Sequence, residues 1–282
     1  MDMLAKPAIV RFLMPLVILI VFLGVWHVAT MPISAEQTVN DEYAKLVGAA
    51  AATGQITAFP TPGDFFAALG KQLADPFYDL GPNDKGIGIQ LAWSIARVAA
   101  GFGLAVLVAI PLGFLIGMSR RMFQALDPFI QVLKPISPLA WMPLALFTLK
   151  DSDVSAIFVI FICSIWPMLI NTAFGVGAVR REWLDVSRTL EVRPLRKALW
   201  VILPAAAPTI MTGMRISIGI AWLVIVAAEM LVGGTGIGYF VWNEWNNLSI
   251  SNILVAILAI GVIGMLLDIG FARLQKAVLY QD

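Results

Sequence analysis

The sequence predicts an all-α membrane protein with six transmembrane helices, and three observations carry that reading. Hydrophobic residues make up 60% of the 282 residues and charged residues 13%, against about 45–50% and about 25% in soluble domains. Mean hydropathy is +0.86. Six stretches approach or exceed the ~20 apolar residues that a spanning helix needs. The lysines and arginines outside those stretches fall mainly on one side of the chain's expected path. The balance excludes a disordered chain, a disulfide scaffold and a soluble globular enzyme.

The spans follow in order. Residues 12–35, 98–119, 154–179 and 245–267 carry no Asp, Glu, Lys or Arg. Residues 128–149 are interrupted by Lys134 alone, and 208–232 hold only Arg215 and Glu229. Lys6 and Arg11 before the first stretch resemble the start of a signal peptide. The stretch is longer than a typical signal core and no clear cleavage site follows, so it reads as an uncleaved anchor. With the N-terminus in the cytoplasm, Lys6, Arg11, Arg120, Arg121, Arg180, Arg181, Arg188, Arg193, Arg196, Lys197, Arg273 and Lys276 lie inside. Only Lys45, Lys71, Lys85 and Lys150 lie outside. Positive residues favour the cytoplasmic face, and six crossings return the C-terminus to it. The chain then divides into a cytoplasmic N-terminus (1–11), a first transmembrane helix (12–30), a periplasmic loop with short helices (31–90) and a five-helix core (91–282).

Two loops exceed mere connection. The outer loop is acidic, and Thr61-Pro62-Gly63-Asp64 within it reads as a helix start. Thr61 is the cap, Pro62 takes the first position and Asp64 faces the open amides. Phe65, Phe66, Leu69 and Leu73 follow at helical spacing, as on a helix lying on the membrane surface or packed on other protein. The cytoplasmic segment 180–204 alternates Trp183, Leu184, Val186, Leu190, Leu195 and Leu199 with basic residues, and Pro194 divides it into two short helices. Such a face suits a lipid surface or a partner's groove.

Within the second span, Gly101, Ala105, Ala109, Gly113 and Gly117 recur every fourth residue. They share a helix face and form a ridge on which another helix can approach closely. Pro128, Pro135, Pro138 and Pro143 crowd the third span and predict a bent helix, either bordering a pathway or improving packing. Ionisable residues near spans are functional candidates by default. Arg97, Lys134 and Glu229, with Trp141, are the pathway candidates. Arg97 and Glu229 both fall towards the outer side and can pair, so a structural ion pair is the competing reading. Asp268 sits late in the sixth span, and Arg215 is close enough to the cytoplasm to snorkel.

Gly233, Gly234, Gly236 and Gly238 resemble a phosphate loop but follow a membrane helix rather than a strand, so a dinucleotide site fails on context. A re-entrant turn or mobile periplasmic gate fits them better. Gly63 to Lys71 does not match a Walker loop, since Gln72 follows the lysine. No HExxH or GxSxG motif occurs. Cys163 is the only cysteine and His27 the only histidine, and His27 reads as an interfacial or packing residue. Net charge is +1, which makes no case for nucleic acid. No metal site is expected, and the chain is read as non-catalytic.

The segment Asp185-Val186-Ser187, followed by Leu203-Pro204 and Pro208, resembles the EAA loop of ABC importer permeases. Asp185 takes the Glu place, and Val186 and Ser187 take the alanines. Glu191 stands where that pattern has Gly, a departure that bears on the turn. Gly213-Met214-Arg215-Ile216, Ala227-Ala228-Glu229-Met230, Pro138 to Pro143 and Phe59 to Pro62 extend the resemblance over most of the chain beyond Phe59. The subgroup it resembles is the nitrate, sulfonate and taurine permeases, and the run from Ala227 to Asn247 is most similar to the nitrate and bicarbonate branch.

The resemblance implies a type I ABC importer permease fold, set in a bacterial inner membrane. It implies two permease copies forming the pathway and a periplasmic or lipid-anchored solute-binding protein. It also implies separate ATP-binding subunits, so the chain needs no cofactor of its own. Asp185, Val186, Ser187, Arg188, Glu191, Leu203 and Pro204 become the ATPase-coupling candidates, and the partner-groove reading of 180–204 outweighs the lipid one. Nitrate is the first substrate candidate, with bicarbonate, cyanate and taurine or alkanesulfonates as alternatives. A stand-alone secondary transporter is the alternative of a different class.

Overall fold

A computed structural model describes residues 7–31, 59–81 and 83–278. The expectations for 1–6 and for the acidic stretch 32–58 of the long loop lie outside these residues. The contacts divide the chain into two compact units, 1–74 with 248–255 and 75–247 with 256–282.

In the first unit, α1 (Pro7–Ala29) is apolar on all faces between Arg11 and His27, and Leu16, Ile20 and Phe22 are all more than half exposed. A helix apolar all round belongs in lipid or among other helices. His27 is exposed near its end. Helix α2 (Pro62–Ala74) starts as its sequence predicts. Asp64 N–H donates to Thr61 Oγ1 at 3.3 Å, while Asp64 Oδ2 accepts from the Thr61 amide at 3.0 Å and hydroxyl at 2.7 Å. This reciprocal cap satisfies otherwise open donors, and the Thr61 hydroxyl holds the Asp64 carboxyl below its ordinary range. Trp26 of α1 donates its indole N–H to Pro60 O at 3.1 Å and packs on Phe59 and Phe65. One side of α2 is therefore packed on protein, while Phe66 and Leu73 stay exposed.

The second unit opens with a short antiparallel hairpin, β1 (Asp79–Gly81) and β2 (Asp84–Lys85). Then come α3 (Ile87–Met118), α4 (Arg120–Leu133), α5 (Pro138–Leu149) and α6 (Ser152–Gly177). After these, α7 (Arg181–Thr189) and α8 (Pro194–Lys197) lead through a π turn, Ala198–Ile202, into α9 (Leu203–Val232). Helices α10 (Ile237–Asn246) and α11 (Ile250–Val278) complete the chain. Local sequence sets several of these starts. Ser119, Ser137 and Asp151 each accept a main-chain N–H at the head of a helix, as N-caps do.

The core is the triple contact of α3, α6 and α9, and the small-residue ridge builds it. Ala105 and Ala109 are completely buried. A Cβ added at Gly101 would meet Ile160 at 2.7 Å, and one at Gly113 would meet Thr172 at 2.6 Å. One at Gly117 would meet the Ala173 carbonyl at 2.5 Å. All three targets lie on α6, so the ridge lets two backbones touch. Gly213 of α9 repeats the device against Asn171. Helix α11 is tied to α9 by Trp222 Nε1 donating to Ile260 O at 2.9 Å and by Gln275 Nε2 donating to Thr212 Oγ1 at 2.8 Å. A two-toothed ion pair adds to this, Arg215 Nε to Asp268 Oδ1 at 2.6 Å and Nη2 to Oδ2 at 2.7 Å.

One expectation about the spans needs correction. The third is not one bent helix over 128–149. Helix begins at Arg120, immediately after α3, and α4 and α5 meet at 92°. Pro135 and Pro138 lack N–H donors, so the turn at 134–137 has no hydrogen-bond ladder to keep it straight. Of the expected six spans, the described residues show four helices long and apolar enough to cross a membrane, or five if the bent pair counts as one. In the first unit, residues 13–29 of α1 form a shorter apolar helix that this count leaves out. The segment from Pro194 to Val232 is one of the four, 39 residues long. The π turn within it ends beside Pro204, whose ring and missing N–H disfavour the α-helical bond to Trp200.

Candidate functional site

Four polar side chains lie on one stripe of α3 or just across from it. Gln90, Ser94 and Arg97 follow the spacing of a single helix face, which continues into the ridge at Gly101. All three are buried, at 2%, 0% and 7% exposure. Glu229, in the last turn of α9, faces them and is 2% exposed.

Arg97 Nη1 donates to Glu229 Oε1 at 2.7 Å and to Thr235 O at 2.6 Å. The Ser94 hydroxyl lies 2.8 Å from Glu229 Oε2. The other edge of Arg97 is taken by Asp153, in the first turn of α6. Nε and Nη2 both donate to the single oxygen Oδ1, at 3.0 and 2.7 Å. The Arg97 guanidinium also lies over Trp93, 5.6 Å from the ring centroid. Its charge is thus neutralised on both edges.

The glycine segment closes over this network. Gly233 and Gly234 have φ of 78° and 93°, a region that favours glycine. Gly236 N–H donates to Gln90 Oε1, Ile237 N–H to Ser94 Oγ at 2.9 Å, and Gly238 N–H to Glu229 Oε2 at 3.0 Å. A Cβ at Gly236 would collide with the Glu229 carboxylate, and one at Gly238 with the Val226 carbonyl. Of the two readings, re-entrant turn or mobile gate, this conformation shows a fastened turn whose glycines allow backbone to sit on a buried carboxylate. Beyond it, α10 is held to the hairpin by Tyr239 and Asn243, both bonded to Asn83.

The structure brings together Arg97 and Glu229, as their shared side suggests, along with Gly236 and Gly238. Lys134 is exposed at the end of α4 and Trp141 half-buried on α5, and neither joins this network. Sequence reasoning missed Gln90, Ser94 and Asp153. The 90–94–97 spacing in an otherwise apolar helix was the available signal for the first two. Asp153 had none, because Asp151 already serves as the cap of α6.

The coupling candidates surround a well-formed turn. Helix α7 ends with Glu191 N–H donating to Arg188 O and Val192 N–H donating to Ser187 O, each at 3.0 Å. Glu191 has φ of 50°. This is a Schellman C-cap, whose left-handed position is ordinarily glycine. The turn that the EAA resemblance implies is present, with a glutamate in the glycine conformation. Ser187 is buried and donates to Leu184 O at 2.7 Å. Leu184 and Leu203 pack on the cluster of Val176, Val179, Ile202, Ala206 and Ile210. Asp185 and Arg188 form an exposed ion pair at 3.0 Å, and Pro204 is exposed at the start of α9. Val186, Leu190, Leu195 and Trp200 are exposed, Trp200 by 78%.

Comparison with known proteins agrees with this architecture. Residues 109–279 match the family model described as binding-protein-dependent transport system inner membrane component. The chain is 46% identical over 226 residues to the nitrate import permease protein NrtB of Synechocystis sp., covering 80% of this chain and 82% of that one. It is 45% identical over 204 residues to the bicarbonate transport system permease protein CmpB of the same organism, covering 72% and 73%. Among solved structures, a chain of the inward-facing MetNI methionine ABC transporter superposes with a TM-score of 0.60 at 14% identity, covering 67% of this chain and 94% of that chain. That likeness speaks for the fold. The chain therefore belongs to the binding-protein-dependent transport system inner membrane components, the non-catalytic permease subunits of ABC transporters, whose ATP hydrolysis is carried out by separate subunits.

Proposed function

We propose that this chain is the permease of an ATP-driven importer of a small inorganic anion, nitrate first and bicarbonate second. The observation that carries the substrate is the 46% identity to a protein named as a nitrate import permease. In this reading α1 and the bent α4–α5 pair complete six crossings, both termini are cytoplasmic, and 31–90 is periplasmic. Two copies enclose the pathway. A solute-binding protein delivers the ion from outside.

The segment 180–204 docks on an ATPase subunit, with α7 as the coupling helix. Its exposed Val186, Leu190 and Leu195 stand among Arg188, Arg193 and Arg196, a mixture suited to a partner's groove. ATP closure of the ATPase pair turns the pathway outward and hydrolysis resets it. The chain itself holds no cofactor. Since both edges of Arg97 are occupied, this arginine offers no free positive charge at rest, and much of the selectivity rests with the binding protein.

The test is reconstitution of the permease in proteoliposomes with its ATPase and solute-binding partners. ATP-dependent uptake of labelled nitrate, weakly competed by bicarbonate, is expected. Uptake by the permease alone, without ATPase or ATP, overturns the reading in favour of a secondary transporter.

A further inference from the structure

Two arginine–aspartate pairs that join different helices of the second unit differ in how the carboxylate sits. Arg215 and Asp268 meet with two oxygens on two nitrogens. Arg97 presents the same Nε–Nη2 edge, yet Asp153 places one oxygen on both donors and leaves Oδ2 outside the contact. The edge that best fits two oxygens of a planar anion is thus filled by one.

Exposure is equally uneven. The Asp153 side chain is 55% exposed, whereas Arg97 is 8% and Glu229 2%. Glu229 is fixed by Ser94, Arg97 and Gly238, while among the described residues the Asp153 carboxylate is bonded by Arg97 alone. Of the two carboxylates on Arg97, Asp153 is the one that can leave. Its departure exposes a guanidinium edge whose plane is backed by the half-exposed Trp93.

Charge fits the exchange. With both carboxylates in place the trio carries one net negative charge. With Asp153 turned to solvent it is neutral. A monovalent oxyanion on the vacated edge then restores the original charge, so the buried Arg97–Glu229 pair is never left uncompensated, which would be costly.

We propose that the Nε–Nη2 edge of Arg97 is a transient binding site for a small planar oxyanion of the nitrate or bicarbonate class, with Asp153 as the exchangeable carboxylate that occupies it at rest. The proposal rests on the anion-importer reading above. It adds a site on the permease itself and a residue, Asp153, that sets its occupancy.

The test uses the assembled transporter with nitrate as the probe. Thermal unfolding of the permease is followed against nitrate concentration, with chloride holding ionic strength constant. Asp153→Ala removes the competitor, and a saturable nitrate-dependent rise in melting temperature is expected, with a midpoint about tenfold or more below any seen in the parent. Adding Arg97→Lys to Asp153→Ala should abolish the rise, because an ammonium cannot fork two oxygens. If Asp153→Ala does not assemble, Asp153→Asn is read in the same way. A variant that assembles but shows no nitrate-dependent rise overturns the site, as does a rise that survives Arg97→Lys. Uptake by the parent separates the two levels. Anion transport without the rise sinks this site alone, and absence of anion transport sinks the importer reading.

Discussion

The continuous helix from Pro194 to Val232 has two unlike ends. At the Val232 end a buried carboxylate is met by an arginine, a hydroxyl and a main-chain amide, all from this chain. At the Pro194 end Leu195 and Trp200 are more than 70% exposed, beside Arg193, Arg196 and Lys197. Apolar exposure alone says little in a membrane protein, since lipid covers such surfaces. Apolar residues set among charges cannot sit in the hydrocarbon core. One end has its polar groups met by the fold, and the other keeps an amphipathic face that requires something else to cover it.

Breaking the closed end should have the largest effect. Glu229→Ala leaves Arg97 half-paired in a buried site and strands the Gly238 amide. Removing one partner of a buried ion pair costs about 3–5 kcal/mol. The expected outcome is a lowered unfolding midpoint of the detergent-solubilised transporter. The double change Arg97→Ala with Glu229→Ala should cost less than the two single changes added together, as for residues in contact. A Glu229→Ala midpoint indistinguishable from the parent would show that the network does not hold the fold.

At the open end the expectation reverses. Trp200→Ser removes a side chain that is 78% exposed, so unfolding should move by no more than about 0.5 kcal/mol. If the face docks on an ATPase, the same change should weaken copurification of that subunit by about 30-fold, the scale of an aromatic anchor worth ~2 kcal/mol. Unchanged copurification would return this face to the lipid surface.

The two ends were also unequally legible in the sequence. The ridge of α3 could be read because every ridge residue is small and the repeat is local. The Thr61 cap could be read because its partners lie within three residues. Arg97 and Glu229 could be paired because charges in apolar helices need partners. The clasp of Gly236 to Gly238 was less accessible. Glycines signal close backbone approach or freedom of motion alike, and only the placement of Glu229 beneath them decides for approach. The 92° turn at 134–137 was foreshadowed by its prolines in kind but not in size, since a missing hydrogen bond permits a bend without setting its angle. Asp153 was hidden because the head of α6 meets the early turns of α3 only through tertiary packing.

The smallest predicted effect sharpens what the turn at the open end contributes. Glu191 occupies the left-handed cap position with φ of 50°, a conformation that costs a residue with a Cβ about 1–2 kcal/mol. Glycine removes that strain but gains freedom in the unfolded chain, which offsets part of the benefit. Glu191→Gly should therefore stabilise the permease by roughly 0.5–1 kcal/mol, seen as a slightly raised unfolding midpoint. The same variant separates two roles for the position. If coupling depends on the backbone turn, held by the bonds to Arg188 and Ser187, ATP-driven transport should persist. If it depends on the carboxylate, transport should fall while stability rises. Glu191→Ala, which keeps the strain and loses the carboxylate, should then match Glu191→Gly in transport and fall below it in stability. A Glu191→Gly protein less stable than its parent would mean that the carboxylate stabilises the turn by more than the strain costs it.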